Sequence, residues 1–331
     1  MRKRILGLCS VFLGVLCWVS TATAIPLVPE ATHSMFFTNV ENIYDSGGNK
    51  VTAEGGRGFE AGEHLVGIFN VQNIDVGGES IWTQSITPIN QLSGIFIQRI
   101  VTVFDKPDPL DPNQNSYNHV VFGAPDPTFL SNFDTVQGTS IASLFSGNEM
   151  FLFFHDVGGT TYTTGSTVAD GIARATDGSK WLSVGYDDNG TEPAFGSQDT
   201  TDLADDDGYA YGHVDLEADL ANFTGTAFGA MNVIFNGTGL PFERNQNDPN
   251  ENEMDFLISG MVGGLLNDFI FTSKFEINPD AAALFPGGSS PWDFRSDDPA
   301  RFQPVPEPST MVLLGIGLVG LALYGRKKMR G

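Results

Sequence analysis

His213-Val214-Asp215-Leu216-Glu217-Ala218-Asp219-Leu220 alternates polar and apolar side chains without a break. On a strand, Val214, Leu216, Ala218 and Leu220 share one face and Asp215, Glu217 and Asp219 the other. A helix competes, because Leu216, Leu220 and Phe223 also fall at helical spacing and Glu, Ala and Leu favour helix. The surroundings favour strand. Phe271, Ser273, Phe275 and Ile277 alternate with Thr272, Lys274 and Glu276, and Met254, Phe256 and Ile258 alternate with Asp255 and Leu257. Further strands are expected at Glu63–Asn70, Gly94–Phe104, Glu149–His155, Trp181–Tyr186 and Ala227–Phe235.

Asn189-Gly190, Asn236-Gly237, Asp177-Gly178 and Gly77-Gly78 supply the positive φ angles that tight hairpins need. Regularly spaced strands and turns predict an all-β body, an antiparallel β-sandwich or jelly roll. Helix is expected only in short pieces such as Pro279–Phe285 and Ser140–Phe145, plus a signal helix at one end and a hydrophobic helix at the other. No β–α–β alternation and no internal repeat is visible. The polar connections are 105–115, 187–208 and 245–255. Residues 287–304 read as a stalk, part of which docks on the body through Trp292, Phe294 and Phe302.

Both ends carry targeting features. Arg2, Lys3 and Arg4 precede an apolar run from Ile5 to Val19, followed by Ala22-Thr23-Ala24. Basic head, short apolar run and small-x-small site make residues 1–24 a secretory signal peptide, cleaved after Ala24. At the other end, Pro306-Glu307-Pro308 is followed by the apolar segment 311–324 and by Arg326, Lys327, Lys328 and Arg330. As a helix the segment spans about 21 Å, short of a hydrocarbon core of about 30 Å. The basic cluster stays cytoplasmic by the positive-inside rule, leaving the body outside.

This tail resembles the PEP-CTERM sorting signal of Gram-negative exoproteins. The resemblance rests on Val305-Pro306-Glu307-Pro308-Ser309-Thr310, the glycine-punctuated run Leu314 to Gly320 and the closing Arg326-Lys327-Lys328. It implies recognition by an exosortase, a membrane-embedded Cys protease-transpeptidase, with processing near Pro306-Glu307-Pro308. The resemblance further implies a protein of the cell envelope or extracellular matrix in bacteria that make exopolysaccharide and biofilm. The alternative is an uncleaved single-span anchor. The organisation is thus a signal peptide over 1–24, an exported domain over 25–286, the stalk over 287–304 and the sorting signal over 305–331. The body is large enough for one β domain or two small ones.

The whole chain has 17 Lys+Arg, 40 Asp+Glu and a formal charge of -23. Removing the targeting segments leaves 10 bases against 40 acids in residues 25–308, a charge of -30. A nucleic-acid binder needs the opposite sign. Both cysteines, Cys9 and Cys17, lie in the signal peptide, so the exported body has no disulfide. Ca²⁺ is the one candidate cofactor, because acidic turns supply oxygen ligands. The candidate ligands are Asp248, Asn250, Asn252, Glu253 and Asp255, and Asp205 with Asp207; a weaker set lies among Asp105, Asp108, Asp111 and Asn113. None has the spacing of an EF-hand, and solvated turns explain the same composition.

No catalytic constellation stands out. The five histidines show no metal-ligand spacing, no G-x-S-x-G elbow occurs and no cysteine remains as a nucleophile. Gly315-Ile316-Gly317-Leu318-Val319-Gly320 matches a dinucleotide fingerprint, but it lies in the membrane segment, so no nucleotide cofactor is expected. Tyr209 and Tyr211 are the candidate sugar-stacking pair. The sequence therefore predicts a non-enzymatic exported protein of structural or adhesive type. Its expected partners are a Sec-type export machinery, an exosortase, the inner membrane transiently through 311–324, and exopolysaccharide. A secreted polysaccharide-binding module is the alternative, and a polysaccharide hydrolase or lyase a further one.

Overall fold

The computed structural model describes residues 25–29, 31–51, 59–106, 117–185, 209–214, 224–240, 242, 269–277 and 291–304. The class is the expected one, antiparallel β with short helices. Among the described residues twelve strands form one sheet: β1 (His33–Tyr44), β2 (His64–Val76), β3 (Glu79–Thr83), β4 (Ser85–Ile86), β5 (Ile89–Lys106), β6 (Tyr117–Gly123), β7 (Glu149–Val157), β8 (Ser179–Gly185), β9 (Tyr209–Val214), β10 (Thr224–Asn236), β11 (Phe269–Ile277) and β12 (Phe294–Phe302). The sheet closes on itself through the pairing of β2 with β5. This sharpens the sandwich or jelly-roll expectation into an up-and-down barrel, in which each stave pairs with the next and the last returns to the first.

Two staves are built from two strands each. β6 and β7 pair with successive stretches of β5, residues 99–106 and then 90–96. β8 and β9 likewise pair with successive stretches of β10. The two breaks face each other, because β7 pairs with β8 and β6 with β9. The break after Gly123 therefore lies at the same level as the break after Gly185. Gly77 and Gly78, at φ 59° and 84°, make the two-residue turn from β2 to β3 that their sequence predicts.

β12 corrects the stalk reading of 287–304. Residues 294–302 are a stave, paired with β1 on one edge and β11 on the other. Phe294, Ser296, Ala300 and Phe302 alternate as buried residues, while Arg295 and Arg301 are not buried. Pro299 and the charges disguise this strand. Proline lacks an N–H to donate, and pairing with β11 lapses at Asp298 and Pro299 while pairing with β1 continues.

The interior is filled by aromatic rings. Phe96 stacks on Phe151 at 5.2 Å, Phe151 on Phe271 at 4.6 Å, and Phe269 on Phe302 at 4.7 Å. β7 and β11 are not neighbours in the sheet, so the Phe151–Phe271 contact crosses the barrel. The outer faces of β1, β2, β5 and β7 are covered by a second layer: helix α1 (Pro127–Gln137), a 3-10 turn at Ile141–Ser143, helix α2 (Val168–Ala175) and Trp292. Burial on both faces explains the nearly continuous apolar runs in β2, β5 and β7.

Close approach in the wall requires glycine at Gly94, where a Cβ would sit 2.0 Å from the Leu152 carbonyl oxygen and 2.4 Å from the Phe69 ring. Gly94→Ala is expected to destabilise the body by at least about 3 kcal/mol, at or beyond the upper end of ordinary overpacking. Chemical denaturation of residues 25–305 measures it, and an unchanged midpoint would contradict the packing described.

Candidate functional site

The two ends of the exported body meet at one rim of the barrel. β1 and β12 are antiparallel neighbours, with His33 opposite Phe302. The His33 ring stacks on Phe302 at 5.0 Å and is fully buried. Its Nδ1 lies 2.8 Å from the Ala31 carbonyl oxygen, and its Nε2 accepts from the Val28 N–H at 3.1 Å. These two contacts select the neutral ring with the proton on Nδ1. Burial, the largest effect, lowers the His33 pKa, which favours the same state.

Beyond Phe302 the chain is held for two more residues. The Thr32 hydroxyl meets Gln303 at 3.4 Å, and Pro304 forms an isolated bridge with Phe242. Phe242 also packs on Phe269 and Phe302. Before β12 the chain is clamped as well. Asn42 accepts from the Asp293 N–H and donates to the Pro291 carbonyl, and Lys50 pairs with Asp293 at 2.7 Å. Trp292, 1% exposed, donates from Nε1 to the Thr164 carbonyl at 2.9 Å. The expected docking of Trp292, Phe294 and Phe302 is thus part of a continuous attachment.

Pro306, Glu307 and Pro308 lie outside the described residues, as do Ala22, Ala24, Arg326, Lys327, Lys328 and Arg330. So do Asp205, Asp207, Asp248, Asn250, Asn252, Glu253 and Asp255. The first two belong to the connection between β8 and β9, the others to that between β10 and β11, two separate connections of the barrel. Among the described residues no group of three or more His, Cys, Asp or Glu is placed to hold a metal ion.

Tyr209 and Tyr211 lie two apart on β9, where the split staves meet. Tyr211 is the register partner of Val121, whereas buried Val120 and Phe122 of β6 are partnered by Gly212 and Ala210. His119 and His213 are direct cross-strand partners. Ninety-four positions separate them in the chain, so no spacing rule could have joined them.

Two polar clusters escaped the sequence reading. Glu149, 1% exposed, pairs with Lys180 at 2.6 Å and accepts from the Ser146 N–H at 2.9 Å and from the Ser183 hydroxyl. It ties the return from the α1 excursion to β8. The second is His64, stacked on Phe129 of α1 with centroids 3.6 Å apart and rings parallel. Burial and the Arg99 charge push His64 down to about 4. Asp126 caps α1 beside it, accepting from the Thr128 N–H at 2.6 Å.

The unfolded chain takes up a proton at His64 near pH 6.5, the folded chain only near 4. Between these values the unfolded state binds more protons, so stability falls as pH falls. The contribution is on the order of 3 kcal/mol at neutral pH. His64→Phe, which keeps a ring on Phe129, is expected to flatten the decline between pH 6.5 and 4. Urea denaturation of both proteins across that window checks it, and identical slopes would contradict the assignment.

Among the described residues no helix is long and apolar enough to cross a membrane, and the apolar segment 311–324 lies outside them. No curated protein matches the chain. Residues 304–328 match the family model of the PEP-CTERM protein-sorting motif. The match begins at Pro304, the last described residue after the closing stave. The chain therefore ends in a PEP-CTERM protein-sorting motif, and this motif implies an exported protein of the cell envelope or outer surface that is sorted by an exosortase.

Proposed function

We propose that the barrel is a structural or adhesive module of the bacterial surface or extracellular matrix, delivered there as the cargo of its sorting motif. The observation that carries this reading is the junction. A self-contained barrel, whose interior is occupied by its own phenylalanine rings, is joined to the motif directly after its closing stave. A filled interior leaves the outer wall and the loops as the contact surface. The charge of -30 over residues 25–308 keeps bodies apart in solution and disfavours polyanions as direct ligands.

Processing near Pro306-Glu307-Pro308 would release the body with β12 intact. Intact-mass measurement of the native surface form is expected to give a chain from Ile25 to a residue within 305–310. A surface form that retains Val312 to Gly331 would overturn the reading in favour of an uncleaved anchor.

A polysaccharide-binding role is favoured by one observation, the placement of Tyr209 and Tyr211 two apart on β9, at the break in the wall. Aromatic residues at such a break can stack on sugar faces. In this reading, Tyr209→Ala with Tyr211→Ala lowers retention of residues 25–305 on the host's exopolysaccharide at least tenfold without shifting the melting temperature. Unchanged retention would remove this reading and leave the first.

A further inference from the structure

The register sorts the strand ends into two rims. One carries His33, Val76, Ile89, Val157, Ser179, Asn236, Phe269 and Phe302. The other carries Tyr44, His64, Lys106, Tyr117, Val214, Thr224, Ile277 and Phe294. Ile25, the first residue after the signal peptide, is buried in the core, and the chain from it reaches the first rim at His33. The sorting motif leaves Phe302 at that same rim. β1 thus begins and β12 ends at one end of the barrel.

The reach of the chain is short on both sides. Met311 lies nine positions beyond Phe302, at most about 32 Å when fully extended. Pro304 is held against Phe242, which shortens the free length further. While 311–324 is in a bilayer, this rim is the nearest part of the body to the lipid.

The exposed apolar residues are concentrated here. Among the described residues six large hydrophobic side chains are exposed: Val28, Phe36, Ile86, Val136, Val157 and Phe235. Val28 precedes β1 at the terminal rim. Ile86 is 64% exposed at the tip of the β4–β5 hairpin, and Val157, 53% exposed, ends β7 opposite Asn90. Phe36 and Phe235 lie on β1 and β10 within four residues of the strand ends at that rim. Only Val136, on α1, is elsewhere. A soluble body hung at random from its tether has no reason to gather these residues at the tethered end.

We infer that the terminal rim is a lipid-contact surface, on which Val28, Ile86 and Val157 rest at the headgroup–acyl boundary while the tail is inserted. The inference rests on the membrane reading of residues 311–324. Burying a few aliphatic side chains in the interface adds affinity that is weak alone and effective once the tether supplies a high local concentration. The contact would fix the body upright, with the sorting motif at the bilayer surface, where a membrane-embedded enzyme can reach it.

The body has no native cysteine, so single probes report cleanly. The test uses residues 25–331 in phosphatidylcholine vesicles, with an environment-sensitive fluorophore on Ile86→Cys, Val157→Cys or, at the opposite rim, Ser46→Cys. Fluorophores at 86 and 157 are expected to shift to the blue and to be quenched by doxyl-labelled lipid at least threefold more than the one at 46. Equal quenching at all three sites, or none at 86 and 157 in vesicle-bound chain, would overturn the inference. So would a blue shift at 86 that persists without lipid, the signature of a second copy covering the rim. A chain that fails to float with vesicles would instead overturn the membrane reading of the tail, and this inference with it.

Discussion

Closure of the sheet by β12 is the constraint on which the rest of the structure depends. Residues 294–302 supply hydrogen bonds to β1 and β11 together, so without them both strands become open edges. Closure leaves β1, β11 and β12 no such edge, and only the short strands β3 and β4 keep one side unpaired among the described residues. For a protein bound for a crowded surface, closure protects against strand-to-strand association that an acidic charge alone would only slow. The closing stave is also the last part of the body to be synthesised and exported, so the barrel completes only when the sorting motif is about to follow.

Filling and covering the barrel come from different parts of the chain. Phenylalanines on alternate positions of β1, β2, β5, β7, β11 and β12 meet across the interior, and glycines such as Gly94 give them room. The two helices and Trp292 then cover one outer side, where β1, β2, β5 and β7 are apolar on both faces. Buried polar groups fasten these layers to each other: Glu149 to Lys180 and Ser183, and Trp292 to the Thr164 carbonyl. His64 joins them as a neutral ring stacked on Phe129. With no disulfide in the exported body, these contacts are what hold the excursions to the wall.

The all-β class, most central strands and the Gly77-Gly78 hairpin were legible because their periodicity and turn chemistry are local. β12 was not, because Arg295, Asp297, Asp298, Pro299 and Arg301 dominate its composition and hide the buried alternation of Phe294, Ser296, Ala300 and Phe302. β1 was masked differently: Asn39 and Glu41 stand at inward positions, where they bond to each other and to Ser296, and so break its apolar alternation. α1 did carry its signals, Asp126-Pro127 at the start and Gly138 in the left-handed region at the end, but a strand-rich context drew the reading away. Barrel closure itself is a pairing of distant segments, invisible to any local pattern. The Tyr209–Tyr211 pair was found by residue type, whereas the His119–His213 pairing follows only from register.

Native-state hydrogen exchange on residues 25–305 tests the central claim most directly. The account predicts that the hydrogen-bonded amides of Phe294–Phe302 exchange only with global unfolding, at the same free energy as those of β1 and β11. Exchange of that segment at a much lower free energy, while β1 and β11 remain protected, would contradict it. Residues 294–302 would then be a stalk resting on the barrel rather than the stave that closes it.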